Sequence, residues 1–122
     1  MADYLPKFNP GAQVPLTVGA TPVVGGRLVE VSTANAIVPS GADSAKVLGV
    51  AAQDAAVGDR VTVFARSGGV HRLTASGAIA VGARVISAAA GKVATIGAGT
   101  NAIGIALEAA AADNDVIDVL FI

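Results

Sequence analysis

The chain has 122 residues, of which 53% are hydrophobic and only 14% charged, with a net charge of −1, one histidine and no cysteine. Without cysteine there is no disulfide framework, thiolate nucleophile or thiolate metal site, and without a basic excess there is no patch to neutralise phosphates or draw the protein to anionic lipid. A single domain of this size, with fewer charges than the usual share of about 25%, is short of polar cover and predicts self-association or a partner surface.

The first segment, MADYLPKFNP, carries Asp3, Lys7 and two prolines where a signal peptide needs an unbroken apolar stretch, so the chain is expected to be made and kept in a cytoplasm. Pro6, Pro10 and Pro15 fix φ and remove backbone donors, which predicts that residues 2–14 form an extended arm and that the folded domain spans 15–122. The chain has one Tyr and three Phe, and Tyr4 and Phe8 put two of these four aromatics in the arm. With Leu5 they make a segment suited to docking on another surface.

From residue 15 onward, scattered glycines and short apolar runs are the punctuation of an all-β domain with many tight turns. VGGRLVEV (24–31), VGDRVTVF (57–64) and VGARVISA (81–88) repeat one device, and ADNDVIDV (112–119) keeps its turn residues. In each, a φ > 0 turn starts a strand whose side chains then alternate between two faces. In the second copy Val61 and Val63 share one face, Arg60, Thr62 and Phe64 the other. VAAQDAAVG and LEAAAADND are alanine-rich but only about two turns long, so at most a turn of helix is expected there. Residues 46–64 also echo 101–121, which either an internal duplication or shared alanine-rich composition would produce. In the last strand Ile117, Val119 and Phe121 face one way, and Val116, Asp118, Leu120 and Ile122 the other. A strand apolar on both faces predicts burial on both, by the core and by a neighbouring subunit.

Candidate chemistry is sparse. Ser67 and His71, with Asp59 nearby, imitate a nucleophile and base, but Ser67-Gly68-Gly69 reads as a hairpin turn between strands ending at Ala65 and starting at Val70. His71 runs in phase with Leu73 and Ala75, as a packed or interfacial histidine does. GAGTNA (97–102) satisfies a dinucleotide-loop pattern, yet the remaining twenty residues leave no room for the helix, strand and acidic residue that such a unit needs. Asp113 and Asp115 sit in a turn, where their ordinary partner is local backbone. The chain is therefore expected to have no catalytic site, cofactor or metal. A hydrolase using Ser67 and His71 would be refuted by alanine variants that leave every activity unchanged.

Taken in order, ADYLPKFNPG, GGRLVEV, AKVLGVAAQDAAVGDRVTVF, GGVHRLTASGAIAVGARV and NAIGIALEAA followed by VIDVLFI resemble the small capsid decoration, or cement, proteins of tailed bacteriophages over nearly the full length. The resemblance implies a small β-barrel or β-tulip domain that forms a homotrimer on the outer capsid surface of the virion and clamps neighbouring major capsid subunits. It assigns capsid contact to the arm, here Asp3, Tyr4, Leu5, Pro6, Lys7 and Phe8, and it calls for neither nucleic acid nor membrane as partner. His71, Val116, Leu120 and Ile122 are the candidate subunit interface. The alternative is a phage tail or fibre-tip β module that binds a host surface glycan, although such sites favour exposed aromatics and clustered polar groups, and this chain is poor in both.

Overall fold

A computed structural model describes residues 13–66 and 69–122. They form two five-stranded sheets in chain order. The first holds β1 (Gln13–Val18), β2 (Leu28–Thr33), β3 (Ala36–Pro39), β4 (Val47–Ala51) and β5 (Arg60–Ala65), and closes as a barrel in the order β1-β3-β2-β4-β5. The second holds β6 (Val70–Thr74), β7 (Arg84–Ser87), β8 (Val93–Thr95), β9 (Gly104–Ala106) and β10 (Val116–Phe121), ordered β6-β10-β9-β7-β8. Only a 3-10 turn at Ala89–Gly91 interrupts the β structure of the described residues.

The four repeated segments are four copies of one turn. Arg27, Asp59, Ala83 and Asp115 each donate their N–H to the carbonyl three residues back. The third residue of each turn, Gly26, Gly58, Gly82 or Asn114, has φ between 72° and 88°. That is the left-handed position of a type II turn, which explains why glycine or asparagine stands there. Each turn also docks on the end of a distant strand. Gly26 donates to Ala51 O and Ala51 returns a bond to Arg27 O; Gly58 and Asp59 make the same exchange with Val18. Gly82 and Ala83 repeat it with Ala106, and Asn114 and Asp115 with Ala75. Beside these turns, Val23 bridges Ala55 in the first half, as Ile79 bridges Ala110 in the second.

This correspondence shows the duplication. β6 to β10 repeat β1 to β5, with the same antiparallel partners and the same parallel contact of first and third strands, reduced to the single bridge Ala75↔Val93 in the second half. The register equates Val63 with Val119, since these face Ala51 and Ala106, so Phe121 matches Ala65 and not Phe64 as the sequence echo suggests. Gly49 and Gly104 are equivalent as well: a Cβ on either would run into the carbonyl of the opposing strand, at Phe64 and Leu120.

The alanine-rich segments, expected to hold at most a turn of helix, form none, because Ala55 and Ala110 spend both backbone groups on Val23 and Ile79. Two sequence expectations are corrected. Residues 66–69 do not join a hairpin: β5 pairs with β1 and β4 while β6 pairs with β10, so this link connects the two sheets. Gln13 and Val14, assigned to the arm, already pair with Phe64 and Val63. Pro15 is tolerated within β1 because Thr17 and Gly19 show which way the odd residues point, toward β3, and β3 reaches only as far as Thr17.

Two cores result. Val18, Val23, Val29, Ile37, Ala51, Val61 and Val63 fill the first. The second is built around Leu73, Val85, Ile103, Val119 and Phe121, and takes in Leu28, Val47 and Val50 from the first barrel.

Candidate functional site

Three regions carry the residues singled out by sequence. The arm, with Asp3, Tyr4, Leu5, Pro6, Lys7 and Phe8, lies outside the described residues, as does Ser67. The described chain begins at Gln13, on the end of β1 that pairs with Phe64.

The second region is the outer face of β6, β10 and β9. Val116, Leu120 and Ile122 stand on it, with Val116 and Ile122 close to half exposed, while Ile117, Val119 and Phe121 are buried beneath. The face expected to be covered twice is thus covered once within the chain. Leu120 lies opposite Val70 on β6 and Ile105 on β9, which joins the apolar side chains into a strip. One ionic group crosses it: Arg72 Nη1 donates to Asp118 Oδ1 at 2.9 Å and to Glu108 Oε1 at 3.5 Å, and Glu108 Oε1 also accepts the Asp118 N–H at 2.8 Å. All three side chains are well exposed, so this network adds little stability and serves mainly to keep charge local.

His71 stands apart from that face. It is on β6 in phase with buried Leu73, and its ring lies 6.1 Å from that of Phe64 and 5.1 Å from that of Phe121. Burial lowers its pKa, which favours the neutral ring. The structure therefore separates His71, a packed histidine, from Val116, Leu120 and Ile122.

The third region is the junction of the two sheets, which the sequence did not reveal. Asp43 reaches from the β3–β4 loop to the glycine-rich loop and accepts the N–H of Asn101 at 2.9 Å and of Thr100 at 3.1 Å. These bonds, Asn101 first, hold its carboxyl below the usual carboxylate range. Asn101 Nδ2 donates back to Asp43 O at 2.9 Å. The loop that imitates a phosphate cradle thus gathers a carboxylate of its own chain. Beside it, buried Ser87 donates to Gly41 O at 2.7 Å and accepts the Ser44 N–H at 2.9 Å. Asp43 at φ 48° within a Gly-Ala-Asp-Ser turn was the one local signal; its partners are more than fifty residues away.

The carboxylates considered as ligands are engaged structurally. Asp115 Oδ2 accepts the N–H groups of Ala111 and Ala112, and Asp113 pairs with Lys92 at 3.2 Å. Among the described residues no three His, Asp or Glu side chains gather as a metal site. No helix of the described residues is long and apolar enough to cross a membrane.

No curated protein matches the chain. Among solved structures it is similar to that titled the crystal structure of head fiber gp8.5 N base in bacteriophage phi29, at 18% sequence identity and a TM-score of 0.71, over 91% of this chain and 95% of that one. At that identity the likeness shows a shared fold. The sequence profile described as phage cement protein matches residues 8–121, which takes in both sheets and the end of the arm, and the chain accordingly belongs to the phage cement protein family, structural proteins of the phage capsid.

Proposed function

We propose that this protein binds the outer surface of an assembled phage capsid as a homotrimer and stabilises the shell by clamping neighbouring major capsid subunits. The observation that carries this reading is the family match over residues 8–121. The apolar strip of Val70, Ile105, Val116, Leu120 and Ile122 is the face proposed for contact between copies, and the arm before Gln13, with Tyr4, Leu5 and Phe8, is the element proposed to reach the shell.

The role requires no chemistry. A protein that binds the assembled lattice more tightly than separated subunits shifts the equilibrium against disassembly, by about 2.7 kcal/mol per site when present at about a hundred times its dissociation constant. Three arms on one trimer bind with avidity, because the first to dock holds the others at high effective concentration. Weak individual contacts are then enough.

The test is co-sedimentation of purified protein, with and without residues 2–12, with undecorated shells of the phage that encodes it. The full chain should pellet at a saturable ratio and the truncated chain should stay largely in solution. If neither pellets, the cement reading fails and the protein serves elsewhere in the virion.

A further inference from the structure

The duplication separates the side chains that the fold needs from those that it does not. Two cavities, of about 420 and 470 Å³, open on either side of Pro22 and Val24, which line both, so they join into one groove over these two side chains. The smaller lies between the turns at Val24–Arg27 and Ala56–Asp59 and holds Asp54 and Asp59. The larger reaches the junction of the two halves, where Arg27 stands among Val38, Pro39, Ala89 and Ala90. The groove is thus apolar along its length, acidic at one end and cationic at the other. Arg27 makes one hydrogen bond among the described residues, a long one of 3.4 Å from Nη1 to Ala90 O, and Asp54 Oδ1 accepts the Gly25 N–H. No ion pair of the described residues includes Arg27, Asp54 or Asp59.

The second half carries the same two turns and the same bridge without these side chains. The bridges equate Val23 with Ile79 and Ala55 with Ala110, and the turns equate Arg27 with Ala83. Pro22, Val24, Arg27 and Asp54 therefore correspond to Ala78, Ala80, Ala83 and Ala109. Asp59 corresponds to Asp115, whose carboxylate is already held by the N–H groups of Ala111 and Ala112. Alanine is enough to build the turns and the bridge, so the larger and charged side chains of the first half are not there for the scaffold. Apolar walls with a few charged groups at fixed places, absent from the twin, make up a binding site. An open groove with opposite charges at its two ends fits a chain segment, and it sets which charge of that segment lies where.

We propose that this groove binds an extended segment of a partner protein, with an Asp or Glu side chain on Arg27, apolar side chains over Pro22 and Val24, and a Lys or Arg side chain toward Asp54 and Asp59. The assignment does not rest on the cement reading. Joined to that reading, it gives the domain a second hold on the shell, separate from the arm.

The experiment titrates the full chain with the peptide acetyl-Glu-Ala-Val-Ala-Lys-amide and follows backbone amide shifts by NMR. The shifts should saturate and centre on the groove, with Arg27, Asp54 and Ala90 among the residues that move. Arg27→Ala installs the residue that the second half already carries, so the variant should melt within about 2 °C of the parent. It should nevertheless bind the peptide at least about tenfold more weakly. A peptide with Gln in place of Glu should lose about as much against the parent and nothing further against Arg27→Ala, which a merely structural role for Arg27 would not produce. A peptide with Gln in place of Lys should also bind the parent more weakly. Shifts that do not saturate, or that centre elsewhere, would overturn the proposal, as would equal affinity for either Gln peptide. Acetate binding the groove as tightly as the peptide would overturn it in favour of a small-anion site.

Discussion

Gly104→Ala tests the strand contact on which the duplicated architecture depends. The new methyl would lie 2.5 Å from Leu120 O and 2.8 Å from Val119 Cγ1. A carbon normally keeps about 3.3 Å from a carbonyl oxygen, so β9 and β10 must separate by about 0.8 Å. They are held in register there by Ala106↔Val119, Ile105↔Leu120 and Gly104↔Phe121, and Val119 and Phe121 are core residues. Overpacking at such a site costs about 1–3 kcal/mol. A loss of about 2 kcal/mol lowers the melting temperature of a domain this size by roughly 8 °C. Thermal unfolding followed by circular dichroism measures it, with urea midpoints as a check. Gly49→Ala, at the equivalent position, should destabilise by at least as much. A Gly104→Ala protein that melts within about 2 °C of the parent would refute the close approach of the strands, and with it the equivalence of the two glycines.

Further outcomes follow from individual side chains. Val119 is fully buried, so Val119→Asp should fail to fold or assemble, because an unpaired charge there costs several kcal/mol; size-exclusion chromatography reads this directly. At Gly58, Asn should be tolerated better than Val when melting temperatures are compared, since Asn114 already fills the equivalent left-handed position and β-branched residues resist it. Asp43 has a lowered folded pKa, so its contribution is present above the ordinary carboxylate range and lost as pH falls through the lowered value. Asp43→Asn should be less stable than the parent at neutral pH and lose less on acidification below about pH 4. His71 also has a lowered folded pKa. Below about pH 6.5 the unfolded chain takes up its proton while the folded chain resists, so stability falls through that window, and His71→Phe should remove this part of the pH dependence.

Features that depend on local conformation were legible in the sequence. The left-handed third position of a type II turn favours Gly or Asn, so the four repeated segments announce the four turns and the strands at Leu28, Arg60, Arg84 and Val116. Alternation placed Val61 and Val63, and Ile117, Val119 and Phe121, on buried faces. What depends on distant pairing was not legible. A glycine-rich link between two sheets has the same composition as a hairpin turn, and only the pairing of β5 with β1 and β4, and of β6 with β10, tells the two apart. Alanine runs have helical propensity whatever lies beside them, and only the bridges to Val23 and Ile79 hold them extended. Nor does anything near Asp43 in the chain point to Thr100 and Asn101.

The reciprocal docking of turns has a kinetic consequence. The turn at Val24–Arg27 is completed by Ala51, and the turn at Ala56–Asp59 by Val18, so neither can settle until strands from both ends of the first half are in place. The second half repeats the requirement with Ala75 and Ala106. Searching for such nonlocal pairs before any reward arrives puts folding in the millisecond-to-second range typical of β topologies. To come apart, each half must break both members of a crossed pair together, which favours slow opening and a long lifetime for the folded state.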